Sequence, residues 1–199
     1  VDGRFLRAFT DPAKVTCLGR PVYPFCLKYR VRLLAIESPL ITGDKVPTPL
    51  DLLAAVKICA EEPLGELTAI ELRLLEKLKE RPGRFLTECE RFKDYCMVDC
   101  WPKFWEDVSD KKGSAEDVGI PWPLGVVAAL IKNGIEEKRA WEMPECQAIW
   151  LNAAWVASAG SESKILTTDE EEFIAEQERL EKVAPSADVK NTKDNGPKT

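Results

Sequence analysis

From position 67 to 80 the chain sets Leu67, Ile70, Leu72, Leu74, Leu75 and Leu78 among Glu71, Arg73, Glu76, Lys77, Lys79 and Glu80. Apolar positions three and four apart with charges between them predict an amphipathic helix, closed by Pro82-Gly83. Upstream, Thr48-Pro49-Leu50-Asp51 reads as a helix start. Thr48 caps the free amides, Pro49 suits a position whose N–H has no partner, and Asp51 complements the positive end of the dipole. This helix is expected to reach about position 61. Leu52, Leu53, Val56, Ile58 and Cys59 make it apolar on most sides, the pattern of a central helix. Residues 24 to about 37 mix periods through Phe25, Leu27, Tyr29, Val31, Leu33, Leu34 and Ile36. Length and the Leu-Leu-Ala-Ile ending favour a helix stopped before Pro39, with a strand left open for its first half. Residues 38–47 read as a loop.

The ends are patterned differently. Residues 1–23 show no helical period, and Val15-Thr16-Cys17-Leu18-Gly19-Arg20-Pro21-Val22-Tyr23 predicts two short extended pieces around a Gly-Arg turn, a small hairpin. Residues 84 to about 98 predict a helix that extends or kinks around Pro102 into 103–108. Residues 109–119, rich in Ser, Asp, Lys and Gly, are the obvious internal linker. Beyond them a short apolar helix runs through Leu124, Val126, Val127, Leu130 and Ile131 to a left-handed cap at Asn133-Gly134. A one- or two-turn helix follows to about Glu142, and Met143-Pro144 starts another through Ile149, Trp150, Leu151, Trp155 and Val156 to Ala159-Gly160. Thr168 with Glu171 forms a capping-box pattern opening a last, strongly charged helix to about Val183. Residues 184–199 carry almost nothing apolar and are expected to be disordered. The fold class expected is therefore mainly α: a compact multi-helix domain over 1–183 with a short N-terminal β-hairpin and a disordered C-terminal tail. A division into sub-halves 1–108 and 120–183 would fall at the 109–119 linker.

Composition narrows the function. A chain of 199 residues with 45% apolar content can bury a core without disulfides or metals. Twenty-eight basic against 34 acidic residues leave −6, which argues against binding bare nucleic acid or anionic lipid through bulk charge. No window approaches the roughly 18 consecutive apolar residues of a membrane span, and Val1-Asp2-Gly3-Arg4 opens no secretory signal, so a soluble protein is expected.

Histidine is absent, which removes the commonest general base and the commonest metal ligand. No glycine-rich phosphate cradle occurs, and Ser114, Ser158, Ser161 and Ser163 have no imidazole to activate them. The acidic clusters at 61–62, 136–137 and 169–172 lack the spaced oxygens and central Gly of a calcium loop and read as solvated helix starts. Seven cysteines form no Cys-x-x-Cys pair. Cys89, Cys96 and Cys100 fall on one side of a helix with Phe92, either three ligands lacking a fourth or, as the burial habit of free Cys favours, a core stripe. Reduced thiols fit a cytoplasm. The expectation is a protein with no catalytic residues, no metal and no cofactor.

Six tryptophans stand at 101, 105, 122, 141, 150 and 155. Exposed, Trp101, Trp105, Trp122, Trp141, Trp150 and Trp155 would be adhesive anchors for an apolar partner; buried, they fill the space between helices. The anionic segment 169–182 reads either as a solvated face or as a pairing surface for a basic partner.

Two stretches together resemble a group of small tailed-phage and prophage proteins. One is residues 15–27, Val-Thr-Cys-Leu-Gly-Arg-Pro-Val-Tyr-Pro-Phe-Cys-Leu, followed by 33–43 and by Pro47-Thr48-Pro49-Leu50-Asp51-Leu52-Leu53 through Cys59. The other is Pro121-Trp122-Pro123-Leu124-Gly125-Val126-Val127-Ala128 with Ala140-Trp141-Glu142-Met143-Pro144-Glu145-Cys146-Gln147-Ala148-Ile149-Trp150. The resemblance covers roughly half the chain in matching order. It implies a tail assembly chaperone, a helical protein of the host cytoplasm that coats the apolar tape-measure protein until tail-tube subunits polymerise around it. Another class, a structural component of the virion in head, connector or tail, stays open, as does homo-oligomerisation. The resemblance does not extend to residues 84–119.

Overall fold

The computed structural model describes residues 2–10, 15–104, 121–160 and 165–183. Ten α-helices and four two-residue strands lie among the described residues. The chain divides into two compact units, Val1–Ile165 and Leu166–Thr199. This division falls C-terminal to residues 109–119, which lie outside the described residues, as do 184–199.

The first unit begins with helix α1 (Gly3–Thr10), where the sequence shows no helical period. Phe5 and Phe9 nevertheless stand one turn apart, their rings 4.8 Å between centroids. The expected hairpin follows: β1 (Thr16–Cys17) pairs antiparallel with β2 (Arg20–Pro21). Its turn is Leu18-Gly19 rather than Gly-Arg, both residues at positive φ (51° and 76°), the backbone a tight hairpin with matched twist requires.

Helix α2 (Leu27–Ala35) resolves the helix-or-strand ambiguity of the 24–37 segment. Only its lead-in is extended, where Cys26 bridges to Pro144 and the Glu145 N–H donates to the Phe25 carbonyl at 2.8 Å. The loop at 38–47 contains one helical turn, α3 (Pro39–Thr42), ended by Gly43 at φ 72°. Helix α4 (Pro49–Cys59) has the expected start: Asp51 N–H donates to Thr48 Oγ1 and the Thr48 N–H returns to the Asp51 carboxylate at 2.8 Å. Its buried side chains run from Leu52 to Cys59, as a central helix requires.

Helix α5 (Ala69–Glu80) is followed at once by α6 (Pro82–Tyr95). Pro82 thus opens a helix as well as closing one, because its ring fits the first helical turn, where no N–H is needed. The helix expected to continue past Pro102 does not. Met97 turns into the left-handed region at φ 51°, a 3-10 turn spans Val98–Cys100, and β3 (Lys103–Phe104) follows Pro102 in extended form. Helices α7 (Trp122–Lys132), α8 (Glu137–Glu142) and α9 (Glu145–Ser158) match the expected segments, with Gly134 and Gly160 at φ 88° and 87° after α7 and α9.

α2 lies between two apolar clusters. Tyr29 and Leu33 join Cys17, Phe25, Leu52, Val56, Phe92 and Tyr95 on one side, and Leu27 joins Val127, Leu130, Ala140, Met143 and Ala148 on the other. A third cluster gathers Ala8, Cys100, Cys146 and Trp150 under α1. Burial of this kind contributes on the order of 1.5–3 kcal/mol per large apolar side chain, the term that holds segments so distant in sequence together.

β4 (Ile165–Leu166) precedes the helix of the second unit, α10 (Thr168–Val183). Its cap is Thr167 with Glu170, one residue before the expected pair. Thr167-Thr168 and Glu170-Glu171 satisfy the same spacing twice, so sequence alone leaves the register open.

Candidate functional site

The tryptophans do not form one surface. Trp150, on α9, is buried; its indole N–H donates to the Cys100 carbonyl at 2.8 Å and its ring meets Phe5 edge-on at 5.6 Å. Trp141 and Trp155 are half-buried against the α7–α8 cluster. Trp101 lies outside any helix and packs edge-on to Trp122 at 5.5 Å. Trp105 lies outside the described residues. Trp122, at the start of α7, is 43% exposed and is the one exposed tryptophan ring among the described residues.

Trp101 and Trp122 belong to a cradle around one cation. The Arg30 guanidinium carbon stands 5.1 Å from the Phe25 ring centre, 5.3 Å from Trp101 and 5.6 Å from Trp122. The aromatic faces carry negative potential and attract the guanidinium. Its N–H groups donate to both carboxylate oxygens of the fully buried Glu145. Burial pushes the Glu145 carboxyl up and Arg30 pulls it back.

A groove of about 440 Å³ opens on the first unit between α1, the hairpin, α6 and the start of α9. Ala8, Val15, Pro24, Phe25, Tyr95, Met97, Pro144 and Cys146 give it an apolar lining, and Arg7, Arg91, Asp94 and Gln147 supply polar groups. Arg7 pairs with Asp99 and Arg91 with Glu88, each bond lying within hydrogen-bonding distance (2.7 and 2.9 Å). Gln147 donates to the Ala8 carbonyl at 2.9 Å, which ties α1 to α9 across the groove floor. Tyr95 donates its hydroxyl to the Tyr23 carbonyl, and burial raises its pKa.

α1 adds exposed apolar area, with Phe5, Leu6 and Phe9 each more than a third exposed. Their segment, residues 1–23, shows no helical period in the sequence. The i, i+4 spacing of Phe5 and Phe9 is the local signal that marks them.

The cysteines are all buried and free. Cys89 and Cys96 share a cluster with Phe92, as the expected stripe requires, but Cys100 joins the cluster of Ala8 and Trp150 because the 3-10 turn carries it off the α6 face. Burial pushes Cys59 up to about 12 and Cys17 and Cys146 to about 11, away from the thiolate form that metal binding or nucleophilic attack needs. Among the described residues no group of three or more Cys, Asp or Glu is placed to hold a metal ion. No helix among them is long and apolar enough to cross a membrane. Phe5, Leu6 and Phe9 on α1 and Trp122 on α7 leave apolar area exposed. No known protein family, characterised protein or solved structure matches the chain.

Proposed function

We propose that this chain is a non-enzymatic binding protein of the phage tail-assembly-chaperone type, which holds the tape-measure protein in soluble form in the host cytoplasm until the tail tube closes around it. The observation that carries the reading is the apolar groove between α1, α6 and α9. It is accompanied by apolar side chains left in water on α1 and α7: Phe5, Leu6, Phe9, Trp122, Leu124 and Ile131. A chaperone for a long apolar helix needs such surface, because an amphipathic client buries its stripe in a groove or against a helix face. The resemblance of residues 15–27, 33–43, 47–59, 121–128 and 140–150 to small tailed-phage proteins supplies the class of client. The net charge of −6 keeps a loaded complex dispersed.

Binding of this kind must be reversible, so single contacts are modest and retention comes from many copies along one client. Co-expression with a tape-measure fragment tests the reading. The fragment is expected in the soluble fraction, in complex with the chain; a fragment that stays insoluble removes the chaperone role. Mass spectrometry of purified particles gives the second measurement. A chaperone is absent from them, whereas stoichiometric presence would make the chain a virion component instead.

A further inference from the structure

The helix of the second unit exposes apolar side chains in a strongly acidic sequence. α10 spans Thr168–Val183, and two of its large apolar side chains stand in water, Phe173 at 66% exposure and Leu180 at 54%. Seven residues apart, they lie about two turns from each other on one stripe of the helix. Asp169 and Glu176 border that stripe on one edge by helical spacing, with Glu172 beyond them. Over the whole helix seven acidic residues face two basic ones, Arg179 and Lys182. Arg179 lies 3.6 Å from Glu176 in an exposed contact that a competing cation can replace. Glu170 is engaged in the cap, accepting from the Thr167 N–H at 2.8 Å.

An apolar seam seven residues long with carboxylates at its edge is half of a helix pair. We propose that α10 docks a basic amphipathic helix of a partner protein, one whose apolar stripe covers Phe173 and Leu180 and whose Lys or Arg side chains meet Asp169 and Glu176. Charge complementarity selects this occupant. A second copy of α10 would bring two strongly anionic helices edge to edge, and like charges across a seam destabilise it. The inference rests on the second unit alone and stands or falls independently of the tape-measure reading.

Titration of the full chain with labelled peptides tests it. One probe is a helical Leu/Lys heptad peptide, the second has the same composition with the Leu positions scrambled, and the third is a Leu/Glu heptad peptide. The Leu/Lys probe is expected to bind, more weakly as salt rises, and to lose about tenfold in affinity to the Phe173→Ser, Leu180→Ser double variant. The Asp169→Lys, Glu176→Lys variant is expected to shift preference toward the Leu/Glu probe. No binding of the Leu/Lys probe overturns the proposal. So do equal binding of the scrambled peptide, an unchanged affinity in the Ser variant, and self-association of the chain that those Ser substitutions abolish.

Discussion

Arg30 on α2 and Glu145 at the first turn of α9, 115 positions apart, form a buried two-bond ion pair, with Arg30 Nε donating to Glu145 Oε2 at 2.7 Å. The backbone reinforces the same junction, since the Glu145 N–H donates to the Phe25 carbonyl. Taking two charges out of water is costly, and the pair persists because each oxygen has its own N–H and the guanidinium also rests on three aromatic rings.

The pair therefore predicts a strong asymmetry. Arg30→Met strands a buried carboxylate and Glu145→Met a buried guanidinium, and each is expected to cost about 3–5 kcal/mol. The double variant removes both charges and should lose much less than the two single losses together. Urea unfolding of the three variants measures this, and additive losses would show that the two groups act independently.

A second network predicts acid sensitivity. Glu71 accepts from the Thr68 N–H at 2.8 Å, lies 3.0 Å from Lys57 Nζ, and accepts from Arg20 at 2.9 Å. The Thr68 amide first, then Lys57 and Arg20, hold its carboxyl at about 2, below the ordinary value of 4.5. A depressed carboxylate stabilises the fold fully above the unfolded value and progressively less as pH falls toward the folded one. The melting temperature is thus expected to fall as pH drops from about 4.5 to about 2. In Glu71→Gln it should start lower and depend less on pH across that window. An unchanged slope in the variant would assign the acid sensitivity to other carboxylates, such as Glu61, which Lys28 lowers in the same way.

What the sequence made legible was local. Thr48, Pro49 and Asp51 announce α4 because capping chemistry lies within four residues of itself, and Asn133-Gly134 announces the end of α7 for the same reason. α1 has eight residues, too few to establish a period, and its stability comes from Ala8 and its neighbours packing on Trp150 and Cys100. The groove could not be read, since it joins Arg7 to Gln147 through tertiary packing. Nor could the sorting of the tryptophans: Trp150 and Trp155 share one helix, and only the position of α1 and α7 decides which is buried.

Thiol reactivity offers a direct reading of the core. All seven cysteines are buried, and burial raises their pKa values, Cys59 to about 12. Both effects suppress attack on a disulfide reagent. The native protein is expected to leave all seven unmodified by Ellman's reagent at mildly alkaline pH, and to titrate seven in guanidinium. A cysteine that reacts rapidly before unfolding would place its thiol at the surface, contrary to the packing described.

The contrast between Trp150 and Trp122 separates support of the fold from binding. Truncating Trp150 to Ala empties the space between α1 and α9 and leaves the Cys100 carbonyl without its donor, a loss expected near 3–5 kcal/mol. Trp122→Ala removes an exposed ring and one of three faces on Arg30, so about 1 kcal/mol or less is expected. If α7 presents apolar surface to a client, Trp122→Ala should lower the soluble yield of a co-expressed tape-measure fragment while the melting temperature stays near that of the parent chain. A yield that follows stability alone, falling for Trp150→Ala and unchanged for Trp122→Ala, would remove Trp122 from the binding surface and leave the groove beside α1 as the remaining candidate.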